Sequence, residues 1–221
     1  MKLIQMNVEM TKAVLGEYKT QTRRIAKVYD VEPYFIKDNT EEVIKKHSKY
    51  QKGDILWVRE PAKVIDYVES NITMKVEYVD GETTIMDIPE RFLDEDGYIK
   101  TSWIKNMQGI PNGCIKEMAR IFLKITDVRV EKIQDISLGD ILKEGCNTDT
   151  SKDLFTRNIN IKAIYSAYPL EKEVFSWWVE LWNKTASKGY KWNDNPYVFV
   201  YEFERVNRDG TPYKREEKRG Y

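Results

Sequence analysis

Six consecutive residues, Lys19–Arg24 with the sequence KTQTRR, hold three cations and two hydroxyls. Lys19 precedes Thr22 by three residues, so a turned or extended backbone can bring the amine and the hydroxyl into one pocket. A buried lysine, whose pKa nearby Arg23 or Arg24 also lowers, can take the threonine proton and leave the oxygen as a nucleophile. The pair therefore predicts a threonine nucleophile activated by a lysine.

A carboxylate that could complete this set is Glu144, at the end of the predicted short helix SLGDILKEG. The following residue, Gly145, lets the chain turn sharply there. Glu144 is therefore a candidate general acid or base. The sequence alone leaves open whether it meets Lys19 and Thr22.

The same cations have two other interpretations. Composition alone favours a solvated strand edge for KTQTRR, where charges keep the edge soluble. Alternatively, Arg23 or Arg24 grips a phosphate bidentately while the threonines add hydrogen bonds. Glu60, in the motif WVRE, either forms an ion pair at a sheet rim or accepts a hydrogen bond from an amino group of a ligand. Arg120 is open to the same two interpretations.

Aromatic residues offer candidate stacking partners for a base. Core packing is the interpretation we prefer for Trp57 and Trp178. Trp192 lies in the polar segment GYKWNDNPY, so it is a candidate for stacking on a base, as is Tyr197.

Composition limits the classes of function. The 36 basic and 36 acidic residues balance, so no global field attracts long nucleic acid. The two cysteines have no CxxC spacing and there is one histidine, His47, so we expect no metal site and no cofactor. The sequence has neither a signal peptide nor an apolar run long enough to span a membrane, which predicts a cytoplasmic protein.

Periodicity predicts more strands than helices. Among the predicted strands are QKGDILWVREP, ARIFLKITDVRVEKI and YVFVYEFERV, and SLGDILKEG and PLEKEVFSWWVELWNK are predicted helices. Asn7 is predicted to cap a first helix that ends at Gly16, which suits a left-handed conformation. Hairpin turns at Ser70-Asn71 and Asp80-Gly81 predict a β-meander. The strands lack the βα alternation of a parallel sheet, which favours an α+β fold with a small mixed β-barrel.

We expect one domain over residues 1–206. Polar stretches near 29–49 and 90–108 are expected to be insertions on that domain. The charged segment 207–221 is almost without aliphatic residues and is predicted to be a flexible tail.

Four motifs, in order and spacing, resemble the ASCH-domain proteins, especially the group encoded by bacteriophages and prophages. They are the Gly16-to-Arg24 segment, GDILWVRE, MARIFLKITDVRVEKIQDISLGDILKEG, and the ending LWNK…NPYVFVYEFE. The resemblance covers about Asn7 to Phe203, with gaps. It implies a PUA-like fold, a small β-barrel with short flanking helices and a cleft beside the first helix.

One small bacterial branch of that family removes the acetyl group from N4-acetylcytidine with a lysine, a threonine three residues later and a glutamate. Lys19 and Thr22 match the first two residues, and alignment of the later motif places Glu144 at the third. This chain has insertions that the branch lacks, and its Arg23-Arg24 pair and WVRE motif follow the phage group.

Three functions follow as hypotheses. The first is recognition of a nucleobase, nucleoside, nucleotide or short RNA or DNA element in a cleft beside the first helix, with Arg23, Arg24 or Arg120 on a phosphate or base edge and Trp192 or Tyr197 stacking. The second is metal-independent hydrolysis of an N-acylated nucleoside such as N4-acetylcytidine. The third is a phage protein that binds a host protein, which would place it in the cytoplasm of a bacterial host.

Overall fold

The computed structural model describes residues 1–28, 36, 40–146 and 168–214. The described strands are β1 Lys2–Gln5, β2 Gln21–Ile25, β3 Ile55–Arg59, β4 Ala62–Val68, β5 Thr73–Tyr78, β6 Thr83–Asp87, β7 Phe122–Lys132 and β8 Tyr197–Val206. The described α-helices are α1 Val8–Leu15, α2 Thr40–His47, α3 Ser102–Lys105, α4 Leu138–Lys143 and α5 Tyr168–Thr185.

Among the described residues the strands form two sheets, one of five strands and one of three, with few helices. The predicted α+β class is therefore confirmed. Neither sheet closes on itself within these residues. Short 3-10 turns complete the described elements, at Glu69–Asn71, Glu90–Phe92, Lys116–Met118, Ile133–Asp135 and Trp192–Asp194.

The chain divides into two compact units. The first comprises Met1–Lys12, Ile55–Leu123 and the described residues from Arg205 on. The second comprises the described residues of Ala13–Asp54 and Lys124–Glu204. The expectation of a single domain stays a prediction. Parts of the predicted insertion near 29–49 and of the predicted tail, from residue 215 on, lie outside the described residues.

In the first unit, β1 pairs in parallel with β3, and β4, β5 and β6 form the predicted antiparallel meander. Alternate residues of these strands, such as Val64, Met74 and Val76, are fully buried in one core. The segment 90–108 also contributes to this core through Ile99 and Ile104.

In the second unit the strand order is β7-β8-β2, and β2 pairs antiparallel with β8. Helices α4 and α5 cover one face of these strands. Trp178 and Trp182 of α5 pack there with Val198 and Val200 of β8. The core position predicted for Trp178 is therefore confirmed.

The end of α1 departs from the prediction by one residue. Asn7 caps the helix as predicted, because its side-chain oxygen accepts a 2.8 Å hydrogen bond from the Met10 amide. The left-handed residue, however, is Glu17, with φ 65°, and not Gly16. The Glu17 amide still donates to the Val14 carbonyl at 3.0 Å, so the helical turn continues past the glycine before the chain reverses.

Candidate functional site

Lys19 lies in the interior of the second unit. The segment after α1 and the end of α4 meet beside it. The Thr20 amide donates to the Lys143 carbonyl at 2.9 Å, which joins the segment after α1 to the end of α4. Gly145 has φ 96°, and a Cβ at this position would lie 2.9 Å from the Ala13 Cβ and 3.2 Å from the Lys19 Cβ. Only glycine fits there, and this close approach brings Glu144 beside Lys19.

The Lys19 amine is buried and contacts Glu144 directly. Its Nζ donates to Glu144 Oε2 at 2.9 Å, to the Glu144 carbonyl at 2.7 Å and to the Gln21 carbonyl at 2.8 Å. These three bonds use all the donors of an ammonium group. Burial lowers the pKa of Lys19, and the Glu144 carboxylate opposes that shift.

The Arg23 guanidinium is also buried and is surrounded by carboxylates. It donates to Glu144 Oε1 at 3.0 Å, to Glu131 Oε1 at 2.6 Å and to Asp140 Oδ2 at 3.1 Å. We call Lys19, Arg23, Glu131, Asp140 and Glu144 the buried ion network. Every donor of the Arg23 guanidinium therefore has a partner, since four bonds go to carboxylates and one goes to the Gln21 side-chain oxygen at 2.6 Å.

The network continues to a partly exposed rim on β7, β8 and α4. Arg129 donates to Glu131 Oε2 at 3.0 Å, to Asp140 Oδ2 at 2.9 Å and to Glu202 Oε1 at 2.9 Å. We call Arg129, Glu131, Asp140 and Glu202 the network rim, since 17–31% of each of these side chains is exposed.

The surroundings of Asp140 lower the pKa of its side chain. Burial alone would raise its pKa. The hydrogen bond from Gln21 and the charges of Arg129 and Arg23 instead hold that pKa below its usual value. Asp140 is therefore a carboxylate at neutral pH and accepts hydrogen bonds only.

Thr22 lies on the opposite face of β2 from Arg23, because successive strand residues point to opposite faces. It is fully buried and stands opposite Tyr201 of β8. Its Oγ1 accepts a 2.7 Å hydrogen bond from Arg24. No hydrogen bond joins Lys19 to Thr22 in the described part of the chain.

Two predicted site residues, Glu60 and Arg120, belong to the first unit and bind each other. Arg120 donates to both oxygens of the buried Glu60 carboxylate, at 2.9 and 3.0 Å. It also pairs with Asp80 at 2.8 Å and with Glu82 at 2.7 Å. We call these four residues the Arg120 cluster, in which one guanidinium is shared by three carboxylates.

The predicted stacking residues are only partly exposed. Trp192 starts a 3-10 turn and packs against the core of the second unit. Tyr197 begins β8, and the Lys132 amine lies 3.9 Å from the centre of its ring.

The residues of the network rim and Gln21 were not among the site residues predicted from the sequence. One signal was available, since Arg129 and Glu131 are two residues apart in a predicted strand and so share a face. Asp140 lies in the predicted helix SLGDILKEG, and the structure contains a 3.1 Å hydrogen bond from its amide to the Ser137 hydroxyl, which caps this helix. Glu202 gave no local signal, because its role depends on the register that places it opposite Gln21.

Comparisons of the chain with protein-family models, with curated proteins and with solved structures found no match. None of the helices in the described ranges is long and apolar enough to cross a membrane. Within those ranges, no group of three or more His, Cys, Asp or Glu side chains is arranged to hold a metal ion.

Proposed function

We propose that the chain is an ASCH-like protein with a PUA-like fold, and that its second unit recognises an uncharged nucleobase or nucleoside at the network rim. The order and spacing of the four motifs support the family. The charge pairing of the buried ion network supports the class of ligand.

The observation that carries the proposal is the saturation of the cations. Arg23 and Arg129 each bind more than one carboxylate, and Lys19 spends all three donors on Glu144 and the Gln21 carbonyl. A phosphate at the rim would face Glu131 and Asp140 at close range, which is repulsive. The network therefore favours a neutral ligand over an anionic one.

The rim offers the hydrogen-bonding groups that a base edge requires. Carboxylates accept from exocyclic amino groups, such as that of cytosine, and guanidinium groups donate to ring nitrogens and carbonyls. Asp140 and Arg129 are partly exposed and adjacent, with a 2.9 Å contact between them. Their fixed positions mean that little side-chain freedom is lost when a base binds.

Calorimetric titration with the four ribonucleosides and their 5′-monophosphates tests this proposal. We expect at least one nucleoside to bind, its monophosphate to bind no more tightly, and the affinity to depend weakly on salt. Asp140→Asn should weaken binding at least tenfold, because a polar contact to a base edge contributes about 1–3 kcal/mol. Asp127→Asn, an exposed carboxylate on β7, is the matched control. Tighter binding of every monophosphate, or no binding of any nucleoside, would reject the proposal.

Hydrolysis of an N-acylated nucleoside is the second candidate, and the Lys19–Glu144 contact favours it. Burial lowers the pKa of Lys19, which brings a neutral amine within reach. Arg24 donates to Thr22 Oγ1, and this hydrogen bond stabilises negative charge on the Thr22 oxygen. Because Thr22 Oγ1 is the acceptor in this bond, the hydroxyl proton of Thr22 stays available for transfer.

In this reaction a neutral Lys19 amine turns away from one of its acceptors at Glu144 or Gln21 and takes the Thr22 proton, while the Thr22 oxygen attacks the acyl carbon. The carbon–nitrogen bond then breaks, and Glu144 relays that proton to the leaving amine. Water cleaves the resulting ester and restores the hydroxyl. Thr22 is fully buried, so a substrate reaches it only after the neighbouring side chains that cover it have moved.

Chromatography of N4-acetylcytidine incubated with the protein measures this activity. We expect cytidine and acetate, complete loss of product in Lys19→Ala and Thr22→Val, and retained product in Thr22→Ser. Thr20→Val, at an exposed neighbouring position, should leave the rate unchanged. If cytidine does not form over hours at high protein concentration, the hydrolase is rejected while nucleoside binding is judged separately by titration.

A further inference from the structure

The two edge strands of the three-stranded sheet in the first unit differ in the hydrogen bonding of their outer sides. The outer edge of β4 is covered, because the Val64 amide donates to the Gln108 carbonyl at 3.0 Å and the Ile110 amide donates to the Ala62 carbonyl at 2.9 Å. Strand β6 forms the other edge, and no described strand pairs with its outer side. An open edge is a template for an added strand.

The register shows which backbone groups of β6 point outward. The Tyr78 amide donates to the Glu82 carbonyl at 2.9 Å, and the Ile88 amide donates to the Ile72 carbonyl at 2.7 Å. Bonded pairs alternate with unbonded pairs in an antiparallel ladder. Counting from these two bonds, the even-numbered residues of β6 face β5, and the amides and carbonyls of Thr83, Ile85 and Asp87 face away from it.

A pocket of about 330 Å³ flanks the same strand. Its lining includes Thr84 and Met86 of β6 together with Met118. Glu82, Glu117 and Arg120 supply its charges. The pocket thus has apolar walls for an alkyl chain and carboxylates for a charged end.

The charge of this region is negative. Arg120 is shared by Glu60, Asp80 and Glu82, so the Arg120 cluster holds more carboxylates than cations. Glu117 is paired with an exposed arginine, and 43% of its side chain is accessible. A basic side chain is therefore the complement of this pocket.

We propose that the outer edge of β6 binds an extended segment of a protein partner as an added strand, and that the adjoining pocket holds a lysine or arginine of that segment. Backbone hydrogen bonds to Thr83, Ile85 and Asp87 would supply affinity, and the acidic pocket would select the side chain. This is the usual division of roles when a peptide adds a strand to a sheet edge. The inference is independent of the function proposed for the second unit.

Two pools of heptapeptides test the proposal, with lysine or glutamate fixed at the centre and the other positions randomised without proline. Binding is followed by amide chemical shifts of the labelled full-length protein. We expect the lysine pool to shift the Thr83, Ile85 and Asp87 amides and to slow their hydrogen exchange, and the glutamate pool to bind at least tenfold more weakly.

Two variants at one position separate strand addition from side-chain contact. Ile85→Pro removes an outward amide that the β5 ladder does not use, so the sheet should survive the change. Ile85→Thr removes the same 70% exposed side chain but keeps the amide. We expect Ile85→Pro to bind the lysine pool at least tenfold more weakly than the unchanged protein does. The affinity of Ile85→Thr should stay within about twofold of that of the unchanged protein.

Three results would overturn the proposal. One is an unshifted β6 with the lysine pool, and another is equal binding of the lysine pool by the two Ile85 variants. The third is a concentration-dependent dimer, seen by sedimentation and abolished by Ile85→Pro, which would assign the edge to a second copy of this chain.

Discussion

The two units each bury a glutamate beside an arginine, but they balance the charges differently. In the Arg120 cluster one guanidinium serves three carboxylates, and the side chains of Asp80 and Glu82 are partly exposed. In the buried ion network and its rim, Lys19, Arg23 and Arg129 face four carboxylates, and a fourth cation, Lys143, lies 3.7 Å from Glu202 Oε1.

The two regions should therefore bind ligands of different charge. A balanced and buried set of ions presents hydrogen-bonding groups with little net charge, which suits a neutral ligand. A set with excess carboxylates beside an open pocket suits a cation. The balance between acidic and basic side chains, more than the presence of arginine, therefore distinguishes the two proposed ligands.

The largest expected effect comes from Glu144→Gln. The change leaves the Lys19 ammonium and part of the Arg23 guanidinium without their buried counter-charge, which costs about 3–5 kcal/mol of unfolding free energy. Urea unfolding measures this loss. Glu204→Gln removes a carboxylate that is 56% exposed and should change stability by less than about 0.5 kcal/mol.

A double variant shows whether the lost charge balance is the cause. Lys19→Met together with Glu144→Gln removes the stranded ammonium, so it should be more stable than Glu144→Gln alone. If Glu144→Gln loses less than about 1 kcal/mol, the network is not held together by charge pairing.

The next largest effect is that of Arg120→Met, which we expect to cost about 2–4 kcal/mol of unfolding free energy near neutral pH. The loss is smaller than in Glu144→Gln because part of the Arg120 cluster remains hydrated. Burial raises the pKa of Glu60, and Arg120 opposes that shift. Without Arg120 the pKa of Glu60 rises further, so Glu60 takes up a proton in the folded state as the pH falls. The loss in Arg120→Met should therefore shrink between about pH 7.5 and about pH 5.

In the second unit the residue that Glu144→Gln leaves unpaired is a cation, so the loss should depend on pH in the opposite direction. Burial lowers the pKa of Lys19, and Glu144 opposes that shift. Without Glu144 the pKa of Lys19 falls further, so Lys19 gives up a proton in the folded state and the loss in Glu144→Gln should shrink as the pH rises above neutrality. Arg91→Met, at an exposed ion pair, is the control for Arg120→Met and should show a small loss that does not depend on pH. An Arg120→Met loss that is equal at both pH values would contradict the assignment to Glu60.

Sequence patterns predicted the elements well and the charge network poorly. Period-two and helical patterns found β3, β7, β8, α4 and α5 because they report local burial. The network depends instead on contacts between residues far apart in sequence, such as Arg23 with Glu131 and Asp140.

Arg23 shows why local patterns could not identify the partners of individual side chains. Within KTQTRR it looks like a free cation suited to phosphate. Its partners come from β7 and α4, more than one hundred residues later, and no local pattern reports that they neutralise it. Glu144 was easier to predict, because Gly145 marks the sharp turn that places it.

The smallest expected effect concerns the glycines that hold the two buried glutamates, Gly145 beside Glu144 and Gly113 against Glu60. Gly113 has φ 92°, and a Cβ there would lie 2.7 Å from the Glu60 carbonyl oxygen. Gly145 has φ 96° and a similarly close neighbour in Ala13. Because an alanine is strained at positive φ and also crowds its neighbour, each Gly→Ala change should cost about 1–3 kcal/mol in urea unfolding.

Gly139 is the control, since it lies inside α4 and a Cβ there would meet only Ser137 Oγ at 3.9 Å. Gly139→Ala should stabilise the protein by up to about 1 kcal/mol, because alanine loses less backbone freedom in a helix. If Gly145→Ala were as stable as Gly139→Ala, the close approach that places Glu144 beside Lys19 would not exist. A loss in Gly113→Ala alone would then mean that only the Arg120 cluster is held by its backbone, and the comparison between the two units would fail at its geometric basis.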